Sequence, residues 1–292
     1  MRVAILARKE KWHVSQLKEA FNKFGINCDH FPIDKFEARI DTDLAMSSEG
    51  YNLKNYRGVI VRVIPVGSLE QIIFRVDVLH RLERAGIQVI NSPKSIERTV
   101  DKYFTSSLLK EAGIPTPKTV VTERMDIAME AVREMKDVLV KPLFGNSGNG
   151  IVRVTDPDLA YRVFNALKPT RAVYYIQEFI PHNNQDIRAF VVGEKAVAAM
   201  TRSADNWKTN IARGGVAQEI HLDAEEYELS VRAAQAVGAD YAGVDIIRSE
   251  EGRYFVVEVN GIPGWSGLQK VVSVNIAEKI AKHLIGKIEL SI

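Results

Sequence analysis

The chain has 292 residues and a formal net charge of +2; 46% of its residues are hydrophobic and 26% are charged. These proportions are ordinary for a globular protein of two or three lobes, and the scattered lysines and arginines exclude a basic nucleic-acid-binding arm. The single cysteine, Cys28, excludes an internal disulfide framework and is interpreted as a buried strand residue in a reducing cytosol.

No stretch of the chain approaches the roughly 20 apolar residues that a membrane span needs. The apolar run at residues 3–7 is also too short for the hydrophobic region of a signal peptide. We therefore expect a cytoplasmic protein that has neither a membrane nor a nucleic acid as a partner. Assembly into a homo-oligomer is left open.

Strand and helix patterns alternate along the first ninety or so residues. Ser68 and Gln71 form a predicted capping box ahead of a helix that ends at Gly86. Alternation with continuously apolar strands favours a parallel sheet covered on both faces. The predicted strands are 2–7, 26–31, 58–63 and 87–91, and the first predicted helix is 13–24.

The pattern changes after residue 92. The segment 92–113 predicts a broken pair of helices, and a strand and a helix (126–135) follow. Beyond them, strands are predicted to pair as hairpins with helices between them. The predicted hairpins join 138–143 to 150–154, 172–180 to 187–201 with a turn at Gly193-Glu194, and 241–248 to 253–259; the later helices are 223–237 and 267–285. We expect an α/β lobe at 1–94 and α+β lobes at 95–180 and 181–292.

The segment "KPLFGNSGNG" (141–150) is a glycine-rich loop between two strands. It lacks the Lys-Ser/Thr ending of a P-loop and the G-x-G-x-x-G order of a dinucleotide fold, and no helix follows it. Its backbone N–H groups could still surround a phosphate, although a plain turn explains the loop equally well. Lys141 ends an apolar strand, where its ammonium needs either a partner such as a triphosphate or a route to the surface.

The segment "YAGVDIIRSEEGRYFVVEVNGIPG" (241–264) predicts a hairpin with an acidic face. A turn that places Ser249 opposite Gly252 puts Asp245 opposite Val256 and Gly243 opposite Glu258. Carboxylates this close repel unless a cation lies between them, and an all-oxygen set suits Mg²⁺ or Mn²⁺. A solvated polar face is the alternative, and we favour the metal. The acidic face holds Asp245, Glu258 and Asn260; the predicted core face holds Ala242, Val244, Ile246, Phe255, Val257 and Val259.

Several motifs in order resemble the ATP-grasp superfamily. They are Lys102 in "VDKYFT", Lys141 before its glycine loop, "YIQEFI", and "GVDII" with "VVEVNGIPG". The segments "QDIRAFVVGEKAVAAMTR" and "WKTNIARGG" are similar to the RimK-like branch of the ATP-dependent carboxylate–amine ligases. The resemblance covers essentially the whole chain and implies an ATP-grasp fold, in which a small parallel α/β lobe precedes two α+β lobes that enclose ATP.

The resemblance also implies roles for individual residues. Lys102 and Lys141 would bind phosphates, and the loop at 145–150 would close over them. Asp186 would take the ribose hydroxyls, and Mg²⁺ (or Mn²⁺) would bind the acidic face. The implied nucleotide-binding residues are Lys102, Lys141, Gly145, Asn146, Ser147, Gly148, Gly150, Gln177, Glu178, Phe179, Ile180 and Asp186; those for the metal are Asp245, Glu258 and Asn260.

One position departs from the family pattern. Many ATP-grasp enzymes have an arginine two residues before the first metal aspartate, and this chain has Gly243 there. The group that stabilises the reaction's oxyanion must therefore come from elsewhere in the chain. Taken alone, a residue of this kind more often forms an ion pair at the surface than serves in catalysis. The candidates are Arg188, Arg202, Asn210 and Arg213.

The implied reaction joins a carboxylate to an amine through an acyl phosphate, with ADP and phosphate as products. "GIPGWSGLQKV" and "IPVGSLEQIIFRVDVLHRLERAG" resemble ligases that add glutamate to one-carbon or deazaflavin coenzymes, such as tetrahydromethanopterin. The expected partners are therefore ATP, glutamate and a small carboxylate-bearing acceptor. Trp265, Arg62 and His13 either contact the acceptor or are structural. The alternatives are a ligase that modifies a protein C-terminus or an amino-group carrier protein, and a non-catalytic ATP-binding regulator.

Overall fold

The computed structural model describes residues 1–41, 44–145, 148–209 and 214–291. The first lobe is built on strands β1 (Arg2–Leu6), β2 (Asn27–Phe31), β6 (Gly58–Val61) and β7 (Gln88–Ile90), with helices α1 (Trp12–Lys23) and α2 (Leu69–Arg84) packed on them. Its sheet is parallel, as expected, with the order β2-β1-β6-β7. The capping box of α2 is confirmed: Ser68 accepts from the Gln71 amide while the Gln71 side chain accepts from Ser68 N.

An additional antiparallel sheet in the first lobe was not predicted from the sequence. Its strands are β3 (Phe36–Ile40), β4 (Leu44–Ser48) and β5 (Tyr51–Asn52). They are short, and the first of them is largely exposed, so they lack a continuous apolar run. Met46 and the neighbouring Leu53 nevertheless enter the core of this lobe.

The central lobe begins with the predicted helical pair and continues with an antiparallel sheet covered by two helices. The helices of the lobe are α3 (Pro93–Val100), α4 (Lys102–Glu111), α5 (Met125–Met135) and α6 (Pro157–Leu167); the strands are β8 (Thr119–Thr122), β9 (Val138–Lys141), β10 (Val152–Val154) and β11 (Tyr174–Glu178). The strand order is β10-β9-β11-β8. Ala128, Val132 and Phe164 of α5 and α6 form its core with Tyr174 and Ile176.

The predicted pairing of 172–180 with 187–201 is wrong. Strand β11 pairs with β8 and β9 instead, with Tyr175 opposite Lys141. The reason is that Tyr174 and Ile176 are buried only when this strand lies in the central sheet under α5 and α6. The helix α6 was missed in the sequence, although Asp156 caps it and proline begins it.

The last lobe is a five-stranded antiparallel sheet. Its strands are β12 (Gln185–Val192), β13 (Lys195–Ser203), β14 (Val216–Glu219), β15 (Tyr241–Arg248) and β16 (Tyr254–Asn260), and its helix α7 is Ala224–Ala236. The strand order is β14-β13-β12-β15-β16, and the predicted hairpin turn at Gly193-Glu194 is confirmed between β12 and β13. Helix α7 covers the apolar face of β15 and β16 through Leu229, Ala233 and the following Val237.

The register of the acidic hairpin differs from the prediction. Ser249 pairs with Arg253, and a bulge after Asp245 then brings Asp245 directly opposite Glu258 and Gly243 opposite Asn260. The extra residue at the bulge keeps both carboxylates on one face, as predicted, although the turn is one residue longer. Of the predicted core residues, Val257 instead lines the cleft and Phe255 is only partly buried, whereas Val256, predicted opposite Asp245, is buried in the core.

A four-residue helix and a 15-residue helix replace the single predicted helix at 267–285. They are α8 (Ser266–Gln269) and α9 (Ile276–Leu290). The Asn275 side chain accepts from Glu278 N and so caps α9, while Gln269 accepts from Ile276 N. Helix α9 packs on α1 and β7, so the C-terminal lobe and the first lobe share one hydrophobic core. No helix among the described residues has the length and apolar character to cross a bilayer.

The packing of α9 on the first sheet predicts opposite effects for two Gly→Ala changes. A Cβ at Gly58 would lie 2.8 Å from Ile288 Cδ1, whereas one at Gly286 meets nothing within 4 Å. We expect Gly58→Ala to lower the melting temperature and Gly286→Ala to raise it slightly, because alanine favours the helix by roughly 0.5–1 kcal/mol. Thermal unfolding of both variants measures this, and equal shifts would contradict the close contact at Gly58.

Candidate functional site

A cleft separates the central sheet from the C-terminal sheet. Lys141 and Gly148 line it from the side of the glycine loop, and Asp245 and Glu258 line it from the side of the acidic hairpin. The two segments singled out in the sequence therefore face the same space.

Lys141 ends β9 with its ammonium inside the cleft wall. Its Nζ donates a hydrogen bond of 2.5 Å to Oε1 of Gln177. Loss of hydration lowers the pKa of Lys141 to about 8, and the nearby positive charge of Lys102 adds to this, while Glu258 and Asp245 partly oppose it. This ammonium therefore lies in the cleft wall rather than at the outer surface, and a negatively charged ligand would stabilise it.

Lys102 begins α4 and reaches the glycine loop. Its Nζ donates to the carbonyl of Gly145 at 2.9 Å, and burial lowers its pKa, while Glu258 and Asp101 oppose that shift. Gly148 and Gly150 have φ values of +69° and +74°, in the region that glycine adopts without strain. Asn146 and Ser147, which were predicted to bind nucleotide, lie outside the described residues.

Gln177, Glu178, Phe179 and Ile180 all line the cleft, as the resemblance implies for a nucleobase site. The Gln177 amide, however, is committed within the protein: it accepts from Lys141 and donates to Thr119 and Tyr175. The backbone N–H groups of Glu178 and Phe179 are used as well, by Lys118 O and Asp137 O. In this arrangement Gln177 holds Lys141 in place.

The carboxylate expected to bind ribose, Asp186, is also engaged. Both of its oxygens accept hydrogen bonds from the Arg202 guanidinium, at 2.7 and 2.6 Å, and both residues are buried. Asp186 lines the cleft, and the side chain of its cross-strand neighbour Arg202 forms a fork on its carboxylate, while its role towards a ribose stays a prediction.

The first predicted metal ligand, Asp245, lies between two arginines. Arg188 forms a two-pronged contact with its carboxylate, and Arg202 Nη2 lies 3.1 Å from its Oδ2. Burial alone would raise the pKa of Asp245, but the two guanidinium charges lower it. Two arginines therefore balance the charge of Asp245 in this structure, and its role as a metal ligand stays a prediction.

Glu258 and Asn260 complete the predicted metal set. Among the described residues, no hydrogen bond or ion pair engages the Glu258 carboxylate, although its charge acts on Lys102 and Lys141. Asn260 Oδ1 accepts from Ile262 N at 3.0 Å. No group of three or more His, Cys, Asp or Glu side chains suited to a metal occurs in the described part of the chain. A metal here would bind two carboxylates and an amide.

Gly243 provides the space for Arg188. A Cβ at Gly243 would lie 3.3 Å from both Cδ and Nη1 of Arg188, whose Cα pairs with Asp245 on the adjacent strand. An arginine is thus present beside position 243, but it comes from β12 rather than from β15. The other two candidates for the oxyanion role, Asn210 and Arg213, lie outside the described residues.

Sequence reasoning missed several residues that line the cleft, among them Trp207, Lys208 and His182. Lys208 donates to Ile151 O across the cleft at 3.1 Å, and the Trp207 ring lies edge-on to Phe179, 6.1 Å between centroids. The motif "WKTNIARGG" contained the signal for both. Their placement depended on the segment after β13 reaching Ile151, the residue that follows the glycine loop.

The acceptor contacts considered for Trp265, His13 and Arg62 are not supported by their surroundings. Trp265 is 1% exposed in the shared core, so stacking on a coenzyme ring at this position is wrong. Its backbone N–H donates to His13, and Arg62 lies over its ring and donates to Pro263 O. Burial and the Arg62 charge lower the pKa of His13 to about 4, so it is a neutral structural acceptor.

Two family models together match nearly the entire chain. The RimK PreATP-grasp domain matches residues 1–96, and the RimK-like ATP-grasp domain matches residues 99–284. The chain belongs to the RimK-like ATP-grasp family. This confirms the predicted ATP-grasp fold and the class of ATP-dependent carboxylate–amine ligases.

Individual relatives agree with this assignment. The chain is 36% identical over 285 residues to the tetrahydromethanopterin:α-L-glutamate ligase of Methanococcus maripaludis, covering 96% of each chain. It is 42% identical over 219 residues to the ligase of the same name from Methanocaldococcus jannaschii, covering 73% of this chain and 75% of the relative. A structure of the ATP-grasp ligase PsnB with a phosphomimetic variant of its minimal precursor, Mg and ADP has the same fold: the TM-score is 0.75 at 21% identity, with 98% of each chain covered.

The desolvated ammonium of Lys141 predicts a pH-dependent stability for the nucleotide-free protein. Its pKa falls from 10.5 to about 8 on folding, so between these values the unfolded chain binds more protons and stability rises with pH. We expect the melting temperature of the wild type, relative to Lys141→Met, to increase by a few degrees between about pH 7.5 and about pH 10.

Thermal unfolding of both proteins at the two pH values measures this difference. Lys110→Met, which changes an exposed lysine on α4, is the matched control and should show no such trend. If the difference in melting temperature between the wild type and Lys141→Met stays constant with pH, the ammonium of Lys141 is not desolvated in the cleft.

Proposed function

We propose that this protein joins L-glutamate to a carboxylate of a small coenzyme of the tetrahydromethanopterin or deazaflavin class, with cleavage of ATP to ADP and phosphate in the cytoplasm. The observation that carries the proposal is that Lys141 and Glu258 line one cleft, while Lys102 reaches the glycine loop beside it and feels the charge of Glu258. The names of relatives at 36% and 42% identity support glutamate as the amino acid and a pterin-type acceptor.

The charged groups of the cleft fit Mg²⁺ and ATP. The two lysines are desolvated and close enough to repel each other. A phosphate that neutralised their charges would therefore stabilise both. Across the cleft, Glu258 and Asn260 offer oxygen atoms of the kind that Mg²⁺ prefers, with Asp245 directly opposite Glu258. When bound, Mg²⁺ would offset negative charge on the phosphates during transfer.

Each side of the cleft then has a defined task in the reaction. Lys102 and Lys141 hold the phosphate chain while a carboxylate oxygen of the acceptor attacks the γ-phosphorus and ADP leaves. The glycine loop covers the resulting acyl phosphate and keeps water from it. The amino group of glutamate attacks the acyl carbon, releases phosphate and a proton, and leaves the amide.

Arg188 is the residue that we propose to stabilise the tetrahedral oxyanion. Its side chain is 13% exposed and its Nη1 lies over Gly243, whereas Arg202 is 5% exposed and divided between two carboxylates. If Arg188 turns from Asp245 towards a ligand, Arg202, which lines the cleft, still pairs both Asp245 and Asp186.

The alternatives differ in what they require. A ligase that modifies a protein C-terminus or a carrier protein needs a surface for a polypeptide tail, and it would produce glutamylated peptide rather than coenzyme. A non-catalytic ATP-binding regulator would be expected to lack a phosphate lysine or an acidic residue of the cleft. Lys102, Lys141, Asp245 and Glu258 are all present, which favours an enzyme.

Incubation with ATP, Mg²⁺, L-glutamate and candidate acceptors tests the substrate directly. We expect mass spectrometry to show one or more glutamyl increments on a pterin or deazaflavin coenzyme, with ADP formed in equal amount. An increment on an acidic peptide alone would favour the protein-modifying alternative. The absence of a glutamyl increment on every pterin and deazaflavin acceptor would remove the proposed acceptor class.

Glu258→Gln should abolish this turnover without unfolding the protein. The change removes the charge of a cleft carboxylate that is proposed to bind Mg²⁺. Loss of several kcal/mol of metal-dependent stabilisation of the transition state corresponds to a rate that is lower by about 100-fold or more. Glu251→Gln at the exposed tip of the same hairpin is the control and should retain the wild-type rate. Measured rates and melting temperatures together decide the test, since full turnover by Glu258→Gln refutes the metal role.

A further inference from the structure

A single buried amide closes the open end of the acidic hairpin. Asn91 follows β7 of the first lobe and is 0% exposed. Its Oδ1 accepts from Asp240 N at 2.6 Å and from Tyr241 N at 3.1 Å. Its Nδ2 donates to Tyr241 O at 2.7 Å and to Gly261 O. All four hydrogen-bonding positions of the amide are thus used.

Every one of these partners is backbone at the base of the hairpin. Tyr241 begins β15, and Gly261 directly follows Asn260, the last residue of β16. The ladder between the two strands ends at the pair Gly243 and Asn260. Asn91 therefore bridges the strands where their own pairing stops, and it does so from a different lobe of the protein.

Neighbouring contacts support the same connection. Arg62 of the first lobe donates to Pro263 O at 2.7 Å, and the Tyr241 hydroxyl donates to Val61 O at 3.0 Å. The hairpin base is consequently anchored to the first sheet at several points. A displacement of Gly261 would move the adjacent Asn260 directly, and through it Glu258.

We propose that Asn91 is a positioning residue for the cation-binding side of the cleft. It acts through Gly261 to hold Glu258 and Asn260 in the geometry that a divalent cation requires. This inference rests on the proposed function of those two residues as ligands. Groups that orient metal ligands without touching the metal typically change affinity about 10–100-fold when they are removed.

Binding of Mn²⁺ in the presence of ADP, followed by electron paramagnetic resonance, provides a readout that is independent of turnover. We expect Asn91→Ala to weaken Mn²⁺ binding about 10-fold or more. Ser48→Ala is the matched control, because it removes another fully buried hydrogen bond of the first lobe, from Ser48 Oγ to Pro32 O at 2.9 Å. It should lower the melting temperature and leave the Mn²⁺ affinity unchanged.

Asn91→Asp is a second variant for the same Mn²⁺ measurement, and it replaces Asn91→Ala if that variant does not fold. The ionised carboxylate of this variant can accept from Asp240 N and Tyr241 N but cannot donate to Gly261 O. Its Mn²⁺ affinity at about pH 7.5 should be about 10-fold or more below that of the wild type, because the hydrogen bond to Gly261 O is lost.

The outcomes separate two different failures. Equal Mn²⁺ affinities for Asn91→Ala and Ser48→Ala at similar loss of melting temperature would show that Asn91 is only structural and would overturn the inference. A wild-type Mn²⁺ affinity in Asn91→Asp would overturn it as well. Absence of Mn²⁺ and ADP binding by the wild type would instead overturn the proposed function of the cleft.

Discussion

The burial of the Asp245 carboxylate is the constraint around which the C-terminal half of the cleft is organised. A charge in the interior must be paired, and Arg188 and Arg202 pair it from neighbouring strands. Arg202 in turn requires Asp186, and Arg188 requires the space at Gly243. Removal of one member would leave a buried charge uncompensated, which typically costs about 3–5 kcal/mol.

This network divides the acidic residues into two kinds. Asp186 and Asp245 are balanced within the protein, whereas Glu258 faces Lys102 and Lys141 across the cleft. The lysines are desolvated, so the central lobe presents positive charge that an anionic ligand would stabilise. The proposed nucleotide would place its phosphates at the lysines and its divalent cation at the oxygens opposite.

The lobes are joined unequally. The first and last lobes share one hydrophobic core, to which α1, α9 and Trp265 contribute, and the buried amide of Asn91 links their backbones. The central sheet has a separate core under α5 and α6. The acidic hairpin is therefore fixed to the body formed by the outer lobes, and the glycine loop belongs to the other body.

Local rules in the sequence determined which segments are strands or helices at most positions, the capping box at Ser68, and the common face of Asp245, Glu258 and Asn260. These features depend on residues a few positions apart, and the motif order was sufficient to indicate an ATP-grasp ligase. Only the tertiary structure decided the bulge that brings Asp245 opposite Glu258, the sheet that β11 joins, and the arginines that neutralise Asp186 and Asp245. Those outcomes depend on which distant strands become neighbours. A buried charge needs an opposite charge, and an apolar strand face needs a covering helix, and both partners lie far away along the chain.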